Sequence, residues 1–430
     1  MMSRISATVW LFNLALIGLF AISVAGLTGG AGGPCAFTQL TGLLSLGMMA
    51  FAVILATRPR WMEPGIGGLD KMYRLHKWLG VGALVVAILH WQIRAGGHHR
   101  YGAPGWAGGA ETLFPALIGP ARGVAEPALL LMTVMIVMAL VRLIPYCVFR
   151  RCHVVMAGLF IVFAFHSLVL MRPDYWPTPF GWATVALSVA GTVASLSTLV
   201  HHFRGPSGTE ARVVGSRYYP ELKALEIDLE VGETWKGHRP GQFAFVTTDA
   251  KEGGHPFTLS TAWDPRSRHI GFIAKELGDF TAGLRRAFRD GACVRIEGPY
   301  GRFTFDDSKP RQIWIGAGIG ITPFVAKLRE RAARPSDTPV DLFHVTHSAS
   351  DEALARLTAD AEAAGVRLHL QVSTQDGHLD ARQIMDAVPD WKSASVWFCG
   401  PADYGTRLRK DLVAAGLPSG NFHQELFEMR

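Results

Sequence analysis

Six long apolar runs fill the first 203 residues, at about 8–27, 36–56, 76–93, 125–145, 153–171 and 181–200. Each approaches the ~20 residues that cross a bilayer as a helix. The pattern changes after His201–Gly208, a connector rich in Gly, Pro and Ser. From about residue 210 apolar positions come in short alternating runs, such as Leu225–Val231 and Gln242–Val246, separated by Gly and Pro. That pattern predicts a small antiparallel barrel. From Gln312 onward, apolar strands (312–316, 340–345, 366–372) alternate with amphipathic helices from Phe324 to about Ala333 and from about Asp351 to Ala364. The alternation predicts a parallel sheet. The expected fold class is a multidomain membrane protein: an all-α six-helix transmembrane bundle, then an antiparallel β-barrel and an α/β parallel-sheet nucleotide-binding domain. The expected domains are 1–203, 204–305 and 306–430.

A net charge of +7 over 430 residues raises the question of nucleic acid. The placement of the charge answers it. One side of the spans would hold Arg4, Arg58, Arg60, Lys71, Arg74, Lys77, Arg142, Arg150, Arg151 and Arg204; the other holds only Arg94, Arg100, Arg122 and Arg172. This is the asymmetry of membrane topology, so the chain is expected to be multi-pass, in a cell membrane of bacterial inner-membrane type, with both termini and the soluble half cytoplasmic. Tyr101, Trp106, Tyr175, Trp176 and Trp182 on the outer side suit an interfacial belt. The first run is too long for a signal-peptide core and reads as an uncleaved span. The five cysteines are scattered without a C-x-x-C pair, which argues against an iron–sulfur or zinc site.

An ionisable ring inside hydrocarbon is costly and reads as functional. The third run carries His76 and His90, the fifth His153 and His166. Spacings of 14 and 13 residues cover about 21 and 20 Å of helix, so the two pairs define two matching depths. Phase is less kind: 14 residues return within about 40° of the same face, whereas 13 land about 140° away, and the second pair needs a bend or ligands approached from different sides. Snorkelling at helix ends explains His76 and His153 singly, but not His90, His166 or the shared depths. His98, His99, His201 and His202 read as surface residues. Six spans with this histidine spacing resemble the ferric reductase / NADPH oxidase family. The resemblance implies two b-type haems, the inner held by His76 and His153 and the outer by His90 and His166.

The soluble half carries further resemblance. His255–Ser260 is similar to the flavin signature of ferredoxin-reductase-type domains. It implies FAD contacts from His255, Pro256, Phe257 along the ring and Thr258 near N5, with His255 standing where many relatives carry Arg. Gly278 and Thr281 resemble the family's pyrophosphate segment, with Lys275 adding charge. Glu297–Gly301 looks like the turn out of the barrel. Gly316, Gly318, Gly320, Thr322 and Pro323 form a strand, a glycine turn and a helix start that suit NAD(P)H phosphates, with Thr322 as an N-cap and Pro323 in the first helical position. Cys399-Gly400-Pro401 resembles the segment beside the nicotinamide, and Phe427 the aromatic that covers the flavin. Thr346–Ser348 should meet the adenosine ribose. With neither an acid nor an arginine there, NADH and NADPH both remain open.

These readings imply an NAD(P)H-dependent flavohaem oxidoreductase carrying electrons through FAD and two haems to an acceptor outside the membrane. Thr258, Cys399 and Phe427 would stand closest to the hydride chemistry. Oxygen, giving superoxide, is the leading acceptor. Chelated iron, or a protein or quinone partner, is the alternative, and a transporter or sensor the reading outside enzymology.

Overall fold

The computed structural model describes residues 2–26, 34–101, 112–141, 146–205, 208–248, 253–275 and 283–425. The chain divides into two compact units, Met1–Gly205 and Pro206–Glu428.

The first unit is helical. Its main elements are α1 (Met2–Ala25), α2 (Pro34–Ala56), α3 (Leu69–Tyr101), α4 (Ala125–Leu140), α5 (Tyr146–His153), α6 (Val155–Val169) and α7 (Pro179–Arg204). Among the described residues, six segments are long and apolar enough to cross a membrane, the fourth starting at Pro115 and the fifth at Val148. Large apolar side chains such as Leu11, Val85, Leu130, Val137 and Val193 are exposed on their outer faces. Water would penalise that surface, whereas lipid solvates it. Inside, helices meet through small residues. A Cβ on Gly191 of α7 would sit 2.2 Å from the ring of Phe160 on α6, so only glycine lets these helices approach. The Ser45 hydroxyl donates to the Ala83 carbonyl at 3.0 Å and ties α2 to α3.

The second unit starts with a six-stranded antiparallel sheet: β1 (Thr209–Tyr219), β2 (Ala224–Val231), β3 (Phe243–Thr247), β4 (His255–Thr258), β5 (His269–Lys275) and β6 (Cys293–Tyr300), in the order β4-β3-β6-β1-β2-β5. A bridge from Leu259 to Phe272 joins the two ends and closes the sheet into the expected barrel. Ile227, Leu229, Leu259, Ile270 and Phe272 fill it. A five-stranded parallel sheet follows: β7 (Gln312–Ala317), β8 (Val340–Thr346), β9 (Arg367–Val372), β10 (Ser395–Cys399) and β11 (Phe422–Gln424), in the order β11-β10-β7-β8-β9. Its principal helices are α8 (Thr322–Ala333), α9 (Asp351–Ala363) and α10 (Ala402–Ala414). All five strands are parallel, so nucleotide-binding loops gather at their C-terminal edge.

Candidate functional site

The four membrane histidines fall into two facing pairs. The rings of His76 and His153 have centroids 6.0 Å apart, and those of His90 and His166 6.4 Å, with planes inclined by 73° and 78°. Two imidazoles on opposite sides of one metal, with bonds of about 2.0 Å and ring centres about 1.2 Å beyond, would be separated by about 6.4 Å.

The fifth span is interrupted between its two histidines. Helix α5 ends at His153, Val154 forms a turn, and α6 begins at Val155. The Ala157 amide reaches back to the Val154 carbonyl at 3.0 Å, a tightened turn of 3-10 type.

Three of the four rings are fixed from behind. Nδ1 of His76 donates to the Ala52 carbonyl at 2.8 Å, that of His166 to Ala121 at 2.8 Å, and that of His90 to Thr38 at 3.0 Å, with the Thr41 hydroxyl at 3.1 Å. A carbonyl only accepts, so the proton sits on Nδ1 and the Nε2 lone pair is left for a metal. His153 differs: its Nδ1 is buried without a partner among the described residues.

Beside His90 and His166 lies a cavity of about 250 Å³. Its wall is apolar (Leu46, Leu129, Phe163), and Arg94, Arg122 and Glu126 contribute charge. The indole of Trp91 donates to Glu126 at 3.3 Å. Facing rings, carbonyl-backed Nδ1 atoms on three of them and, beside the outer pair, a mostly apolar cavity with cations are features that fit a haem. Sequence reasoning missed the backing carbonyls and counted Arg94 only among the charges of the outer side. Its position one turn beyond His90, on the same helical face, was the available signal. His201 and His202 are exposed as expected; the side chains of His98 and His99 lie outside the described residues.

In the barrel, the flavin-like segment forms β4. Phe257 is half-buried with its ring stacked on Phe272, at 4.6 Å between centroids and 21° between planes. His255 and Pro256 are half-buried, and Thr258 is buried opposite Phe243 on β3. Lys275 ends β5 opposite Ala224. Gly278, Thr281 and Phe427 lie outside the described residues.

The glycine turn stands where the sequence put it. Gly316 is the next-to-last residue of β7, and Gly318–Ile321 form a 3-10 turn that runs directly into α8. Thr322 is therefore the first residue of α8 rather than its cap. Its hydroxyl donates back to the Ile319 carbonyl at 2.8 Å, and Pro323 falls in the second position. A Cβ on Gly320 would lie 2.1 Å from the Cys399 carbonyl oxygen, so this glycine lets the turn rest on the end of β10. Cys399 is buried; burial, with the Glu425 carboxylate nearby, pushes its thiol up. Gly400 and Pro401 then lead into α10. His347 is exposed at the end of β8, and its carbonyl accepts from Thr374 at 3.1 Å.

Residues 41–164 match the family of the ferric reductase like transmembrane component. An NADPH oxidoreductase of Mycobacterium tuberculosis is 30% identical over 201 residues, covering 44% of this chain and 52% of the relative. A superoxide-generating NADPH oxidase heavy chain of Dictyostelium discoideum is 25% identical over 286 residues, covering 60% and 53%. The chain thus spans about half the length of these curated relatives. A flavohemoglobin structure from Malassezia yamatoensis, with bound FAD and haem, aligns at a TM-score of 0.48 and 17% identity, over 71% of this chain and 85% of that one. The helical unit is thus similar, over residues 41–164, to a ferric reductase like transmembrane component, and longer stretches of the chain are similar to NADPH oxidoreductases and oxidases.

Proposed function

We propose that this protein is a flavohaem oxidoreductase that moves electrons from NAD(P)H across a membrane. The observation that carries the reading is the spacing of two histidine pairs, 6.0 and 6.4 Å between ring centres, in one apolar bundle. When bound, FAD supplies hydride acceptance and single-electron release, and two b-type haems supply the stations across the bilayer. The chain's work is placement. His76 with His153, and His90 with His166, would hold the two irons. His255, Pro256, Phe257, Thr258 and Lys275 would line the flavin, joined by Gly278, Thr281 and Phe427. Gly316, Gly318, Gly320, Thr322 and Pro323 would cradle the dinucleotide phosphates, with Cys399, Gly400 and Pro401 by the nicotinamide.

The excess of Lys and Arg on one side of the spans supports a cytoplasmic reductase half. Electrons then leave toward His90 and His166, a direction that an inside-negative potential assists by about 2.3 kcal/mol per 100 mV. Oxygen, reduced to superoxide, is the acceptor proposed; chelated iron is the second reading, favoured by Arg94 and Arg122 beside the outer pair.

The test is an optical spectrum of the purified full chain with haem counted per chain, before and after anaerobic NADH or NADPH. A low-spin b-type spectrum with two haems, reduced by nucleotide once FAD is added, is the expected result. A chain that binds no haem overturns the proposal. Superoxide and ferrous iron yields then separate the two acceptors.

A further inference from the structure

The flavin-like barrel and the parallel-sheet region meet at a cluster of charge around one buried carboxylate. Glu226 on β2 is 7% exposed, an unusual place for a carboxylate. Arg356 on α9 approaches it through both terminal nitrogens, at 2.7 and 3.4 Å, and also donates to the Tyr219 hydroxyl on β1. That hydroxyl in turn donates to Glu226 at 3.1 Å. A second guanidinium, Arg329 on α8, lies 3.5 Å from the same carboxylate. Arg329 also reaches Asp360 at 3.4 Å and donates to the Ser260 carbonyl at 3.1 Å.

The two ends of Arg329 matter. Its helix opens at Thr322, beside the glycine turn, and Arg329 stands two turns further on, about 10 Å along the axis. Its hydrogen bond ends on Ser260, two residues beyond Thr258 in the flavin-like segment. One side chain therefore links the element that starts at the nucleotide turn to the segment that carries the flavin contacts. Glu226 and Asp360 both pair with that side chain, at 3.5 and 3.4 Å. Apolar packing slides; a guanidinium fork on a buried carboxylate fixes direction as well as distance.

We propose that Arg329, anchored by Glu226, Arg356 and Tyr219, is a positioning residue that sets the approach of nicotinamide to flavin. This rests on the flavohaem reading above. A shift of about 1 Å at such a junction costs up to about a hundredfold in rate.

The experiment uses the full chain with FAD, mixed anaerobically with NADH or NADPH while flavin bleaching is followed. R329M and E226Q should slow bleaching at saturating nucleotide by about tenfold to a hundredfold. FAD content, haem spectrum and nucleotide KM should stay close to those of the parent, and R329K should recover part of the rate. A native rate in R329M with FAD retained overturns the proposal. Should R329M lose FAD, R356K keeps the charge but not the fork and is measured in the same way. A native rate there, or loss of FAD in both variants, shows a merely structural cluster and also overturns it. If the parent flavin is bleached by neither nucleotide, it is the underlying flavohaem reading that fails.

Discussion

The two histidine pairs are built alike in front and differently behind. In the outer pair both rings are backed, His166 by the Ala121 carbonyl and His90 by the Thr38 carbonyl and Thr41 hydroxyl. In the inner pair His76 is backed by Ala52, while Nδ1 of His153 is buried without a partner among the described residues. The cause is local. His153 closes α5 just before the turn at Val154, packed against Phe149 with ring centres 4.9 Å apart. At this break His153 faces His76 but lies next to an aromatic ring rather than a carbonyl.

The largest expected effect tests whether the pairs are separate sites. H90A or H166A should lower haem from two per chain to one, with the inner spectrum kept; H76A or H153A should do the converse. Haem extraction and low-temperature spectra read the outcome. Loss of both haems from a single substitution, or of neither, breaks the pairing and the comparison with it.

The next effect concerns unequal grip. Ligation through Nε2 leaves an N–H on Nδ1 of His153 with no acceptor, a cost of about 1–3 kcal/mol. The inner pair should therefore open at His153 about tenfold more readily, or beyond, than the outer pair opens at either ring. Carbon monoxide binding to dithionite-reduced chain separates them: H90A reports on the inner haem alone, H76A on the outer alone. Tighter binding in the H90A background is expected. Equal binding would show that His153 finds an acceptor once iron is present.

How much of this was legible follows from where each feature is encoded. The six spans, the barrel strands and the parallel sheet are written in the period of apolar residues, but the edges are not: the third span starts at Leu69 rather than 76 and the fourth at Pro115 rather than 125, because polar and glycine-bearing turns continue those helices. The 13-residue spacing from His153 to His166 called for a bend or for ligands approached from different sides, and the helix breaks at Val154. The backing carbonyls of Thr38, Ala52 and Ala121 were invisible, because a carbonyl belongs to every residue and only packing selects one. Thr322 misled for a related reason. Thr followed by Pro resembles a cap, but the 3-10 turn of Gly318–Ile321 enters α8 without an extended residue. The Glu226 cluster was hidden by sequence distance, since Tyr219 and Arg356 are 137 residues apart.

The smallest effect sharpens the comparison from the outer side. His90 has two acceptors at its back, the Thr38 carbonyl at 3.0 Å and the Thr41 hydroxyl at 3.1 Å. The hydroxyl also lies 2.8 Å from the Phe37 carbonyl, to which it donates, so its oxygen lone pairs face the imidazole. One N–H shared between two acceptors draws mostly on the better of them, and the carbonyl survives any change at residue 41. T41A should therefore weaken retention of the outer haem by about tenfold or less, at the low end for loss of a group that orients a ligating histidine. Transfer of haem to an excess of apo-globin gives the measurement, with the inner haem of the same chain as internal reference. A loss approaching a hundredfold would make the hydroxyl the principal anchor. The outer pair would then depend on a side chain where His76 and His166 depend on backbone, and the contrast between the two rungs would rest on His166 alone.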